Sequence, residues 1–187
     1  MDKVAYKGYE IEISPDIDPI NPREDDNLGT MICFHKRYSL GDTHHYNHGD
    51  YNSWAELLKA IEKKEGKLIA LPLYLYDHSG ITMKTSPFSC QWDSGQVGFI
   101  YITLEKARSE FSKKLINKTM AAKLKGYLES EVKTYDHYLT GDAWGYKISK
   151  DGEEIDSCWG YYGDTDYVLK EAKEVVDSNV EHDKKAA

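Results

Sequence analysis

Long apolar runs, linker-like proline tracts, paired cysteines and an excess of basic charge are all missing from this sequence, and each absence removes a class of protein. The longest apolar stretch, around Leu68 to Leu75, is far too short to span a bilayer, so no membrane role is expected. Met1 to Gly8 lacks the apolar core of a secretory leader, which points to the cytoplasm. Three cysteines at wide spacing, Cys33, Cys90 and Cys158, are an odd number and fit a reducing compartment better than a disulfide framework. No glycine-rich phosphate loop follows a strand pattern, and no motif implies a cofactor. A net charge of −8 works against a general electrostatic grip on phosphates, so direct nucleic-acid binding is not expected.

What is present is enough for a core. With 187 residues, 40% of them hydrophobic, the chain can bury roughly 70% of its unfolded surface without staples. All five prolines precede residue 90, and no repeat or low-complexity tract divides the chain, so one domain over 1–187 is expected, with a frayed tail from Glu181. The charge is uneven. Residues 151–187 hold eleven acids against four bases, whereas 104–133 hold eight bases against four acids.

Alternation of Tyr9, Ile11 and Ile13 with Glu10 and Glu12 predicts a first strand over 4–13, with Tyr6 out of phase. Pro15, Pro19, Pro22 and the Asp25-Asp26-Asn27 cluster then predict a surface loop. A second strand is expected over 28–38, with Met31, Cys33 and His35 on one face and Ile32 and Phe34 on the other. Ser53 and Glu56 form a capping box ahead of a Trp54, Leu57, Leu58, Ile61 stripe, and Gly66 supplies the stop, so a helix is expected there with Glu62 to Glu65 facing water. Strands are read over 67–76, 81–84 and 98–103, and helical stripes around Leu104 to Leu115 and Met120 to Tyr135. Asp151-Gly152 suits a tight hairpin turn between strands at 144–149 and 154–161. Asp164 or Thr165 can cap a last helix carrying Val168, Leu169, Ala172, Val175 and Val176. The sum is an α+β fold: a mostly antiparallel sheet of six or seven strands with about four helices packed on one side.

Three clusters carry candidate chemistry. In Leu71 to Gly98, Asp77, His78, Cys90, Trp92 and Asp93 fall on turns beside a hydrophobic sheet. Cys90 with His78 as base and Asp77 or Asp93 as orienting group would make an acyl-transfer enzyme or protease, but no hydrolase signature surrounds Cys90. The plainer alternative has Phe88 and Trp92 plugging the end of the core. His44, His45 and His48, with Asp50 and with Cys33 and His35 able to join them, offer ligand types for zinc, although their spacing is a poor match to a site and a solvated histidine-rich loop is the plainer reading. The third cluster, Trp159, Tyr161, Tyr162 and Asp164, with Trp144 and Tyr146 across the hairpin, is an aromatic surface rimmed by carboxylates, the composition of a protein interface. Packing on the sheet accounts for part of it. The lysines at 113, 114, 118, 123 and 125 read as a solvated helix face.

Leu71 to Gly98 and Ile155 to Gly163 resemble stretches in small uncharacterised proteins of bacteriophages and mobile elements. The resemblance implies a protein that binds and blocks a host protein, such as a restriction or CRISPR effector, and it carries no catalytic residues with it. Low acidity and the basic segment set the chain apart from DNA-mimicking antirestriction proteins. The leading expectation is therefore a non-enzymatic inhibitor or modulator of a host protein acting through Trp92, Asp93, Trp159, Tyr161, Tyr162 and Asp164. The other is a hydrolase using Cys90, His78 and Asp93 or a metal at His44, His45 and His48.

Overall fold

The structure is a computed structural model that describes residues 2–186. Its elements run β1 (Asp2–Tyr6), β2 (Tyr9–Pro15), β3 (Thr30–Cys33), α1 (Trp54–Glu65), β4 (Leu68–Asp77), β5 (Ile81–Lys84), β6 (Ser94–Thr103), α2 (Leu104–Glu110), α3 (Lys118–Thr140), β7 (Ala143–Lys150), β8 (Glu153–Tyr162) and α4 (Thr165–Ala186). The fold is α+β with antiparallel pairing throughout, as expected. In place of one sheet of six or seven strands there are two sheets of four, β1-β2-β7-β8 and β3-β6-β4-β5. They belong to two compact units, one made of both ends of the chain up to Asn21 and from Gly141, the other of Pro22–Thr140.

In the first unit the extra strand arises at Lys7-Gly8. Both residues have positive φ, 49° and 85°, which turns the chain tightly and pairs Tyr6 with Tyr9. That hairpin explains why Tyr6 is out of phase with the strand after it. The second hairpin turns at Asp151 (φ 52°) and Gly152 (φ 86°), where the residue types foretell it. The register sets Ile11 opposite Ile148 and Ile13 opposite Tyr146. One face of the sheet is closed by α4 through Val168, Ala172 and Val176, all fully buried, as are Ile11 and Ile148. Each of these buried valines and isoleucines contributes about 1.5–3 kcal/mol by leaving water. The helix does not stop at Glu181: it runs on to Ala186, and Lys150 reaches Asp183 at 3.3 Å.

In the second unit the helices lie on both faces of the sheet, not on one. Met31, Leu73, Leu75, Ile100 and Ile102 pack with Leu124, Leu128, Val132 and Tyr135 of α3 and with Ala107 of α2. The alternate residues Ile32, Phe99 and Tyr101 pack with Leu57 and Ile61 of α1. The central strand β6 is thus buried from Val97 to Ile102 without a break, the mark of a strand covered twice. Gly98 is needed where β3 crosses it, since a Cβ would lie 1.8 Å from the Ile32 carbonyl oxygen. Ser53 accepts the Glu56 amide at 3.2 Å, and Gly66 (φ 92°) ends α1, as its sequence foretells. Glu65 departs from the expected water-facing row: it accepts the hydroxyls of Tyr101 (2.6 Å) and Tyr46 (3.0 Å). The edge strand β5 is held by Asp136 of α3, which accepts the Thr82 hydroxyl at 2.7 Å and the Met83 amide at 2.6 Å.

Candidate functional site

The strand expected over 28–38 ends at Cys33. The reason is His35, whose Nδ1 accepts the amides of Arg37 and Tyr38, each at 3.3 Å, and so curls the chain away from the sheet. With Nδ1 accepting, the ring proton resides on Nε2, which faces Asp77 at 3.5 Å. Arg37 closes on the same carboxylate oxygen. Asp77 ends β4, so this group of three sits where the sheet opens to solvent.

Beside it lies the turn that leads into β6. The Asp77 amide donates to the Asp93 carbonyl at 2.8 Å, and the Ser94 hydroxyl donates to the Cys90 carbonyl. Asp93 Oδ2 stands 3.4 Å from His78 Nδ1 and 3.7 Å from Cys90 Sγ. The structure therefore brings His78, Asp93 and Cys90 together, but with the carboxylate between the other two. A nucleophilic thiol needs the imidazole on the sulfur and the carboxylate behind the imidazole, and this order is different.

Trp92 does not plug the core: it is 94% exposed, and Phe88 is half-buried against the Tyr76 ring, with Lys84 4.2 Å over its own ring. A shallow hollow of about 290 Å³ adjoins the indole, bordered by His35, Asp77, Asp93 and Val97. The turn holding Trp92 is thus fixed by backbone and side-chain bonds on both flanks, with its largest apolar group in water.

The histidine cluster is not gathered around a common point. His44 and His48 both pack on the Phe34 ring, at 4.8 and 5.5 Å between centroids, and His45 is exposed. Among the described residues no three His, Cys, Asp or Glu side chains converge as metal ligands. Cys33 is buried beneath them, and burial followed by the nearby Asp42 charge pushes its thiol up to about 12. It is a packed sulfur, not a reactive one.

In the first unit the aromatic hairpin is only partly free. Tyr161 packs half-buried against the core, its ring tilted on Tyr146, and burial pushes its hydroxyl above the ordinary tyrosine range. Tyr162 donates to the Ile20 carbonyl, and Asp164 accepts the Asp166 amide at 2.9 Å at the start of α4. Trp159 lies over Gly145 yet keeps 42% of its surface exposed.

Sequence reasoning does not find Arg23. Its side chain is only 3% exposed, and it binds Asp42, Glu131 of α3 and the Gly29 carbonyl at 2.8–2.9 Å, tying down a segment expected to be a plain surface loop. The one visible signal is an arginine among three acids, which says nothing of burial. Among the described residues no helix is long and apolar enough to cross a membrane. No family model, no curated protein and no solved structure matches the chain.

Proposed function

We propose that the chain is a binding protein of the phage type, working in the host cytoplasm, that inhibits or redirects a host protein through the turn carrying Trp92 and Asp93. Defence proteins such as restriction or CRISPR effectors are the partners that the sequence resemblance favours. The observation that carries the reading is Trp92, 94% exposed on a turn that is otherwise braced. An indole left in water forgoes the free energy of burying a large apolar surface, and tryptophan is enriched among the residues that dominate binding at interface centres. The bonds from Asp77, Ser94 and Asp93 fix the turn before any partner arrives, which reduces the entropy lost on binding. Arg37, His78 and the two carboxylates supply the polar rim. Trp159 provides a second exposed aromatic in the other unit, while Tyr161, Tyr162 and Asp164 serve that unit's own packing and capping.

The test compares the wild-type chain with Trp92→Ala as bait, followed by reconstitution with the purified prey. A host protein retained in stoichiometric amount by the first, lost by the second at equal melting temperature, and inhibited in its own assay supports the reading. Identical retention by both baits, or an unaffected purified prey, refutes it. The hydrolase reading keeps one supporting observation, that Cys90, His78 and Asp93 share a single turn region, and thiol reactivity separates it from the first.

A further inference from the structure

A cleft of about 750 Å³ in the Pro22–Thr140 unit plays no part in the Trp92 reading. Its volume is within the range of small-molecule sites, roughly 300–1,000 Å³. Two groups of rings line it. Phe34, His48 and Trp54 form one, with His48 and Trp54 4.9 Å apart and Phe34 and Trp54 6.1 Å apart; His35 stacked on Tyr38 at 5.1 Å forms the other.

Among the described residues its one lining lysine or arginine is Lys36. In a protein of net −8, the cleft is lined by Lys36 and the imidazoles of His35, His44 and His48. Among the described residues its one lining carboxylate is Asp42, and both oxygens of Asp42 are taken by Arg23, one of them also by the Met31 amide at 2.8 Å. No uncommitted acid faces an incoming anion.

The cleft wall also holds an unmet hydrogen bond. His44 Nε2 lies 3.0 Å from the Cys33 carbonyl, which can only accept, so Nε2 carries a proton, and in that tautomer Nδ1 is an acceptor. That Nδ1 is buried with no partner. An N–H donor reaching this atom would satisfy it.

Rings for stacking, a cation without competing acid and an acceptor awaiting an N–H together describe one ligand class. We infer that this cleft binds a nucleoside monophosphate, with the base among Phe34, Tyr38 and Trp54, a base N–H directed to His44, and the phosphate at Lys36. The site shares His35 with the hollow beside Trp92, but none of the residues assigned to the nucleotide borders that hollow, so its failure leaves the protein-binding reading standing, and the reverse holds too.

The test is calorimetric titration of the full chain with AMP, GMP, CMP and UMP, with inorganic phosphate and a short single-stranded DNA as separate arms. Lys36 and Tyr38 are exposed, so Lys36→Ala and Tyr38→Ala should keep the wild-type melting temperature. At least one nucleotide should bind one to one with Kd below about 1 mM and about tenfold tighter than phosphate. Each variant should weaken it about tenfold, and Trp92→Ala should leave it unchanged. The inference is overturned if no nucleotide binds, if phosphate or the DNA strand binds as tightly as the best nucleotide, or if both variants bind like wild type.

Discussion

Arg23 closes a fork on Asp42, Nε to one carboxylate oxygen and Nη2 to the other, both at 2.8 Å, with its remaining Nη1 on Glu131 at 2.9 Å. The two acids also accept backbone amides, Asp42 from Met31 and Glu131 from Leu28 and Gly29. The guanidinium therefore neutralises two carboxylates whose positions the main chain depends on. Arg23→Met should cost about 3–5 kcal/mol in urea denaturation, because two partly buried acids lose their partner at once. A loss below about 1 kcal/mol would mean that water replaces the arginine at little cost.

Tyr101 and Tyr46 share the Glu65 carboxylate. Burial first, then Glu65, raises both hydroxyls, Tyr46 to about 12 and Tyr101 further. A raised folded-state value means that the stabilisation is complete below the unfolded tyrosine value near 10 and is lost as pH climbs through the folded values. The urea midpoint should hold steady from pH 7 to about 9 and decline between roughly pH 10 and 12. Tyr101→Phe should make that decline shallower; an unchanged slope would remove Tyr101 from the account.

Gly98→Ala should be among the worst small substitutions in the chain. The added methyl meets the Ile32 carbonyl oxygen at 1.8 Å, and backbone in a paired strand cannot yield as a side-chain tip can. A loss of about 3 kcal/mol or more is expected from such overpacking. The control is Gly95→Ala in the same strand, where nothing lies within 4 Å; it should be close to neutral by thermal melting.

Thiol labelling separates the two functional readings. Cys33 should resist iodoacetamide until the protein unfolds, since its thiol sits near 12 in the core. Under the binding reading, Cys90 should react at neutral pH no faster than Cys158, as mapped by mass spectrometry. A tenfold or greater preference for Cys90, abolished by His78→Ala, would instead favour a hydrolase.

Local signals were legible wherever local chemistry decides the structure. Ser53, Glu56 and Gly66 bound α1 because capping is settled within a few residues, and Asp151-Gly152 turns because those residue types tolerate positive φ. Lys7-Gly8 makes the same turn with a lysine in the strained position, so the pattern read as one strand in place of two. The division into two sheets was not legible, since strand alternation gives the faces of a strand but not its neighbours. At the site, Trp92, Asp93, His78 and Cys90 were found through their shared turn. His35, Arg37 and Arg23 were missed in their roles because their partners, Asp77, Asp42 and Glu131, are distant in sequence.

The strand pairing of the first unit has a consequence for synthesis. Ile11 meets Ile148, so the amino-terminal hairpin leaves the ribosome long before the strand and helix that cover it exist. The intervening Pro22–Thr140 unit has its own sheet and cores and can fold in that interval. Tyr9, Ile11 and Ile13 meanwhile wait as an uncovered apolar face beside an open strand edge, the kind of surface that chaperones hold and that promotes aggregation. A nascent chain stalled just before Gly141 is therefore the form of this protein most exposed to misassembly.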